Sequence, residues 1–140
     1  MIKTSPLIFF LCFTFMALVT SIQAQGIHLS ANEINFKSSQ DQIQLKQLSS
    51  DEFSSAYAIS IRDSVRAHFH KQHTETILVL EGEAIMRLGE EQFTVRAGDF
   101  INVPKGTIHA VWVNSDIPLK VISVQAPQFF GKDRHYLHED

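Results

Sequence analysis

Apolar and polar residues alternate with a period of two over short stretches of the chain, for example in residues 42–48 and 56–62. Because successive side chains of a β-strand point to opposite faces, this pattern predicts strands with one buried face. Further short apolar runs follow at close spacing, and no segment of useful length has a helical period before residue 130. The pattern predicts a single all-β domain, a sandwich or a barrel.

Turn residues separate the predicted strands in the middle of the chain. Glycine next to acidic residues interrupts one apolar run after another, which is typical of hairpins. We expect the last strand over residues 119–125, and we expect the chain to leave the barrel after Pro127. The predicted turns lie at Gly82, Gly89, Gly98 and Pro104-Lys105-Gly106.

The first 24 residues have the three-part form of a secretory signal peptide. Lys3 precedes an apolar run over residues 7–19, and Ala24 offers a small residue at a cleavage site. A membrane anchor is the alternative, but about 13 apolar residues are fewer than the ~20 that a spanning helix needs. We therefore predict cleavage after Ala24, a domain over residues 25–140, and a secreted or periplasmic protein with no membrane attachment.

Charge and cysteine usage exclude two classes of function. The formal net charge is −3, and it becomes −4 when Lys3, the one charged residue before position 25, is removed. Since the basic residues are scattered, we expect no nucleic-acid partner. Cys12 is the single cysteine, so the predicted mature chain contains none and cannot be a thiol enzyme. Cys12 also lacks the preceding small residue of a lipid-anchored protein.

Histidine spacing between residues 65 and 113 gives the strongest chemical signal. His68 and His70 are two residues apart, so on a strand they point to the same side and can hold one ion between them. Glu75 stands at the head of the next apolar run, and His109 begins another. Three imidazoles and a carboxylate suit one divalent transition metal, for which iron, manganese, nickel and zinc all stay open.

Two clusters of residues in this region resemble the signature motifs of the cupin superfamily. The first motif is Gly, five residues, His-x-His, three or four residues, Glu, six residues, Gly. The second is Gly, five residues, Pro-x-Gly, two residues, His, three residues, Asn. The chain departs from them at Arg62 in place of the leading Gly and at Val113 in place of the Asn. The matching positions are His68, His70, Glu75, Gly82, Gly98, Pro104, Gly106 and His109.

The resemblance implies a fold and a range of functions. The implied fold is a single-domain double-stranded β-helix, or jelly-roll barrel, with the metal held inside by His68, His70, Glu75 and His109. Similar proteins include dioxygenases, oxalate-degrading enzymes, isomerases and proteins that bind ligands without turnover. We predict a metal-dependent enzyme, an oxygenase such as a dioxygenase or a decarboxylase, that acts on a small oxygen-rich molecule. The alternatives are a non-catalytic module that binds or senses a small ligand and a structural relic.

Other polar residues near the motifs carry weaker expectations. Arg66 shares the parity of His68 and should face the interior, where it bends to the barrel mouth, pairs with a structural acid or anchors an anionic ligand. No dedicated catalytic acid or base is identifiable. We expect His73 to be a solvated loop residue and His135 and His138 to lie on the surface of the tail.

The outward faces of the same strands predict a homodimer. If His68, His70 and His109 face inward, then the residues between and after them face outward as an apolar set. A second subunit that packs sheet against sheet would bury this set, unless Phe129 and Phe130 of the tail cover it. The outward residues are Ala67, Phe69, Ala110 and Trp112.

Overall fold

The computed structural model describes residues 26–137, which form two antiparallel five-stranded sheets. One turn of 3₁₀ helix, Ala31–Glu33, precedes the strands. The predicted signal peptide and His138 lie outside the described residues. No helix within 26–137 has the length and apolar character to cross a membrane. The strands are β1 (Ile43–Ser50), β2 (Ser55–Ile61), β3 (Ser64–Phe69), β4 (Thr74–Glu81), β5 (Glu83–Leu88), β6 (Glu91–Arg96), β7 (Phe100–Val103), β8 (His109–Val113), β9 (Leu119–Ala126) and β10 (His135–Tyr136).

The strand order gives a jelly-roll topology. The first sheet has the order β1-β2-β9-β4-β7, and the second has the order β10-β3-β8-β5-β6. Strands that follow one another in sequence often lie in different sheets, so the chain crosses repeatedly between the two layers. The predicted all-β, double-stranded β-helix fold is confirmed.

The inward residues of β4 and β9 change from polar at one end of the barrel to apolar at the other. In β4 the inward positions are Glu75, Ile77 and Val79, all buried. In β9, which runs antiparallel to β4, they run from Leu119 at the apolar end to Gln125 opposite Glu75. The apolar end is therefore a packed core, and the polar end carries the candidate functional residues. The core consists of Ile61, Ile77, Val79, Ala84, Met86, Val95, Ile101, Val103, Val111, Leu119 and Val121.

Two motif glycines lie where a side chain would interfere. Gly82 has a φ of 82°, and a Cβ there would lie 2.7 Å from the carbonyl oxygen of Pro118. Gly106 also has a φ of 82°, and its N–H donates to the His70 carbonyl at 2.6 Å. Only glycine adopts such a φ without strain, so these positions fix the β4–β5 turn and join the second motif to the first.

The two departures from the motifs are accommodated by other contacts. Arg62 lies in the bend before β3, where its N–H donates to the Gln42 carbonyl at 2.8 Å. Val113 packs against the core at the end of β8, and its N–H donates to the Asp63 carbonyl at 2.7 Å. Backbone hydrogen bonds therefore close the turn before β3 and the end of β8 without the usual Gly and Asn.

The expectation that the chain leaves the barrel after Pro127 is wrong. Residues His135 and Tyr136 form β10, which pairs with Phe69 and His68 at the edge of the second sheet. The tail thus adds a fifth strand beside the metal-binding motif. Its two-residue strand is too short for a period-two pattern to reveal it in the sequence.

The outward apolar set is smaller than the strand pattern predicts. Ala110 is 0% exposed, and Phe69 is half-buried because the His135 ring stacks on it at 5.3 Å. Trp112 is 43% exposed and lies opposite Ile85 of β5, which is 38% exposed. The tail therefore covers part of the set. Trp112 stays exposed, and with Ile85 of the neighbouring strand it forms an exposed apolar pair.

Candidate metal centre

Three segments bring four motif side chains to the polar end of the barrel. His68 lies in β3 directly opposite His109, the first residue of β8, and His70 follows the last residue of β3. Glu75 is the second residue of β4, in the other sheet. All four side chains are buried. The four side chains thus come together from both sheets. This is the arrangement that the two motifs imply for the strands that carry them.

The donor atoms of these side chains lie close together. One ring nitrogen from each of His68, His70 and His109 lies within 4.8 Å of the others. The Glu75 Oε2 atom lies 3.2 Å from the His109 Nε2 atom and 3.5 Å from the His70 Nε2 atom. The three histidines form a set that can hold a metal ion, and the Glu75 carboxylate borders it.

The backbone fixes the orientation of all three imidazole rings. The Nδ1 atom of His68 donates to the Arg66 carbonyl at 2.8 Å, and that of His109 donates to the Thr107 carbonyl at 3.0 Å. His70 Nδ1 donates to the Asp133 carbonyl at 2.6 Å. Since a carbonyl only accepts, each Nδ1 carries a proton, and the neutral form of each ring has its lone pair on Nε2. This is the arrangement that orients histidine ligands in metal sites.

Glu75 is held as a carboxylate. Its Oε1 atom accepts hydrogen bonds from the Ser123 hydroxyl and, at 3.4 Å, from the Gln125 side-chain amide. Burial raises the pKa of Glu75, but His109, His70 and Ser123 outweigh that effect and hold the pKa well below its ordinary value. The Oε2 atom therefore presents a negative charge to the imidazoles. Sequence reasoning missed Ser123 and Gln125; the signal that could have found them is strand parity in β9, which places them on the same face as Val121.

The surroundings shift the pKa values of His68 and His70 in opposite directions. Burial lowers the pKa of His68 to about 3, and His109, Arg134 and His70 add to this effect. Burial also disfavours the charged form of His70, yet the Glu75 carboxylate and the Asp133 carbonyl raise its pKa above the ordinary value. His68 is thus neutral at physiological pH, the form in which imidazole binds metals.

The donor set fits a divalent transition metal. The buried Nε2 atoms of His70 and His109 have no hydrogen-bond partner among the described residues, which is unusual for buried polar atoms. A metal ion would satisfy them, because neutral imidazole nitrogen is a common ligand for zinc, iron and nickel. The Glu75 carboxylate would neutralise part of the ion's charge. The arrangement is therefore suited to hold a divalent ion.

Asp133 ties the tail to the first motif, a role that the sequence did not reveal. Its carboxylate accepts hydrogen bonds from the N–H groups of Lys71 and Gln72 at 3.1 and 2.8 Å, and from His73 Nδ1 at 2.6 Å. Burial raises the pKa of Asp133, but His73, these N–H groups and His135 hold the pKa below its ordinary value. His70 and His73 are 63 and 60 residues away from Asp133 in the sequence. Local sequence patterns therefore cannot predict these contacts.

The expectation that His73 is solvated is wrong. His73 is buried, and its Nε2 atom contacts the Gln128 carbonyl at 3.0 Å while Nδ1 contacts Asp133. The Phe129 ring meets the His73 ring edge-on at 5.1 Å. His135 is half-buried in β10 with its Nε2 atom 3.1 Å from Asp133 Oδ1, so the tail is packed where a free surface segment was expected.

The expectation that Arg66 faces the interior is also wrong. Between Val65 and His68, β3 has one residue more than β8 opposite it, which makes a β-bulge. The extra residue shifts the parity, so Val65 and His68 both face inward and Arg66 is exposed. Its guanidinium lies 5.2 Å from the centre of the Tyr136 ring.

Arg134, which the sequence analysis left out, is the arginine beside the site. It lines a cavity of about 70 Å³ between the two sheets, together with three of the motif side chains, His68, Glu75 and His109. The rest of the lining is mainly apolar and comes from both sheets. These residues are Ile43, Leu45, Ile59, Ile61, Val65, Ile77, Ala110, Val111 and Val121.

The comparisons with known proteins agree with this geometry. Residues 59–125 match the sequence model of the cupin domain. Quercetin 2,3-dioxygenase of Bacillus subtilis is 34% identical over 68 residues, which are 49% of this chain and 20% of the dioxygenase. An uncharacterised protein of Aquifex aeolicus is 27% identical over 93 residues, 66% of this chain and 76% of that protein. The chain thus spans a fifth of the dioxygenase's length.

Solved structures share the whole barrel. A double-stranded β-helix protein of Klebsiella pneumoniae superposes with a TM-score of 0.69 at 19% identity, covering 82% of this chain and 100% of that one. KdgF from Halomonas sp. superposes with a TM-score of 0.65 at 20% identity, covering 76% of this chain and 97% of that one. At these identities the likeness concerns the fold. Residues 59–125 match the cupin domain in sequence, and the fold around them is the double-stranded β-helix.

Proposed function

We propose that this protein is a metal-dependent enzyme, an oxygenase or a related enzyme, that acts on a small oxygen-rich molecule. One observation carries the proposal: three buried imidazoles, each with its Nδ1 atom held by a backbone carbonyl, converge beside the buried Glu75 carboxylate at the wall of an apolar cavity. In such a site, a bound divalent metal supplies polarisation of a substrate oxygen or, if redox-active, one-electron chemistry.

In this proposal the protein's own residues hold the ion, orient the imidazole rings and shield the substrate from water. His68, His70 and His109 would hold the ion, and we propose Glu75 as the fourth ligand. Backbone carbonyls keep the three rings in one orientation. The apolar walls limit water around a bound substrate, which strengthens every electrostatic contact within the cavity.

The groups that line the cavity favour oxygenation over reactions that need a protein acid. Among the described lining residues, the polar ones are His68, Glu75, His109 and Arg134. Glu75 has a strongly lowered pKa and is a poor proton donor, while an arginine stays protonated in proteins. The chemistry would therefore depend on the ion and the substrate. The local similarity to a dioxygenase supports the same reaction class.

The cavity also bears on the size of the substrate. Its volume of about 70 Å³ favours a small compound, of the size of oxalate or catechol, over a flavonol with its three rings.

Turnover separates the enzyme from the alternative, a non-catalytic module that binds or senses a small ligand. Protein loaded separately with iron, manganese, nickel and zinc is mixed with oxalate, catechol or a flavonol. Oxygen consumption and carbon dioxide release are recorded, with His70→Ala as the inactive control. We expect turnover of a compound of oxalate or catechol size by the wild type alone. Stoichiometric metal binding without turnover of any compound would instead support the binding module.

A further inference from the structure

Arg134 is positioned by both of its sequence neighbours. Asp133 is fixed by hydrogen bonds to the turn after His70, and His135 begins β10, paired with Phe69 of β3. The backbone at Arg134 is therefore held between a hydrogen-bonded carboxylate and a strand. Its side chain lines the cavity that holds His68, Glu75 and His109.

The guanidinium group of Arg134 is incompletely satisfied. Its Nε atom is shielded from solvent and has no hydrogen-bond partner among the described residues. Its side chain lines the inner cavity together with His68 and His109, so a ligand in that cavity lies beside all three residues. A buried donor without a partner is rare in folded proteins, and the guanidinium is a five-donor group suited to pairing with two oxygens at once.

Arg134 also lies at a junction between two cavities. A second, outer pocket of about 360 Å³ is lined by Leu45, Tyr57, Phe129, Gly131, Arg134 and Tyr136. Leu45 and Arg134 belong to both linings. A ligand that approached through the outer pocket would therefore meet the guanidinium before it reached the histidines.

We propose that Arg134 binds the carboxylate of a small monoanionic substrate whose apolar body lies in the inner cavity beside His68 and His109. The charge follows from a cation with an unpaired buried donor, and the apolar body follows from the isoleucine and valine walls. The Nε–H and one Nη–H of an arginine can meet both oxygens of a carboxylate side by side. The inference rests on the proposed function in one respect: both assume that the ligand occupies the inner cavity.

Isobutyrate and isobutyramide test this inference. Both have six non-hydrogen atoms and nearly the same shape, but only isobutyrate is charged. Each is titrated into ¹⁵N-labelled protein, and the dissociation constant is taken from shifts of backbone amide signals. We expect isobutyrate to bind the wild type at least about tenfold more tightly than isobutyramide, which corresponds to the loss of a charge-assisted pair.

Variants assign the effect to Arg134. Arg134→Met keeps an apolar stem of similar length and should weaken isobutyrate binding at least about tenfold without affecting isobutyramide. Arg96→Met, at an exposed position of β6 that lines neither cavity, should bind both compounds as the wild type does. Unchanged thermal midpoints would show that the variants are folded, and a variant that fails this control is replaced by Arg134→Gln.

Two results would overturn the proposal. One is equal affinity of the wild type for acid and amide, including no binding of either, and the other is unchanged isobutyrate binding in the folded Arg134 variant. The titrations are made with metal-free and metal-loaded protein. If no metal binds, an Arg134 dependence in the metal-free protein still supports this inference while the proposed function fails. If metal binds but Arg134 has no effect, this inference fails alone.

Discussion

At the scale of single residues, Glu75 makes the most contacts in the site. Its Oε1 atom is held by Ser123 and Gln125, so its Oε2 atom is fixed toward His70 and His109. We predict that Glu75→Gln, which keeps the volume and removes the charge, lowers metal affinity at least about tenfold. A competition titration against a chelator of known affinity measures the change. Glu90→Gln, at an exposed turn, is the matched control.

Wild-type affinity in Glu75→Gln would show that the three histidines hold the ion without a carboxylate.

Strand parity predicted that His68 and His70 point to the same side. Their convergence with Glu75 and His109 is long-range and was implied by the resemblance to cupins. Strand parity did not predict the exposure of Arg66, because one extra residue in β3 reverses the parity between Arg66 and His68. Nor did it predict burial of His73, whose acceptors on Asp133 and Gln128 are more than 50 residues away.

At the scale of elements, the segment around Asp133 joins the tail to the turn between β3 and β4. We predict that Asp133→Asn lowers the free energy of unfolding by about 1–3 kcal/mol at pH 7, because charge-assisted hydrogen bonds to buried groups are lost. Urea denaturation of the metal-free protein measures this difference. Asp116→Asn, an exposed aspartate, is the control and should change stability little.

The effect of Asp133 should depend on pH in one direction. The pKa of Asp133 is lowered by folding from an ordinary value of 3.8, so the unfolded chain takes up its proton first as the pH falls. The stabilisation is complete above about pH 4 and is lost as the pH falls through the lowered folded-state pKa. The gap between wild type and Asp133→Asn should therefore shrink below pH 4. A gap that is constant from pH 7 to pH 3 would contradict this assignment.

Strands β1 to β9 follow from periodicity and turn residues, but β10 does not. Its two residues are stabilised by pairing with β3 and by the Asp133 contacts, all of which are long-range. Long-range pairing of a short edge strand leaves no periodic signal in the sequence. For the same reason Arg134, which comes from this tail, is absent from the motifs that predicted the rest of the site.

At the scale of the whole molecule, the homodimer stays a prediction that now centres on Trp112 and Ile85. These two residues are opposite each other and exposed on the outer face of the second sheet. Full burial of a large apolar side chain contributes about 2–3 kcal/mol, which favours a two-fold contact through this face. Light scattering at micromolar concentration should give the mass of two subunits, and Trp112→Glu should give the mass of one. A monomer at every wild-type concentration would exclude the dimer.

Export is a second prediction at this scale. Residues 1–24 have the charge, apolar run and small residue of a signal peptide, so we expect the mature protein to begin at Gln25. Expression of the full sequence in a bacterial host, followed by fractionation and mass spectrometry of the amino terminus, tests this expectation. Full-length protein retained in the cytoplasm, under conditions in which a control secretory protein is processed, would contradict it.

The central claim is that the motif side chains hold one divalent ion per chain. The most direct measurement is metal content by plasma mass spectrometry, on protein purified without chelator or affinity metal and then dialysed against iron, manganese, nickel or zinc. We predict one ion per wild-type chain, little in His70→Ala, and one in His28→Ala, whose histidine is exposed. Full metal content in His70→Ala, or none in the wild type with any of the four metals, would contradict the account.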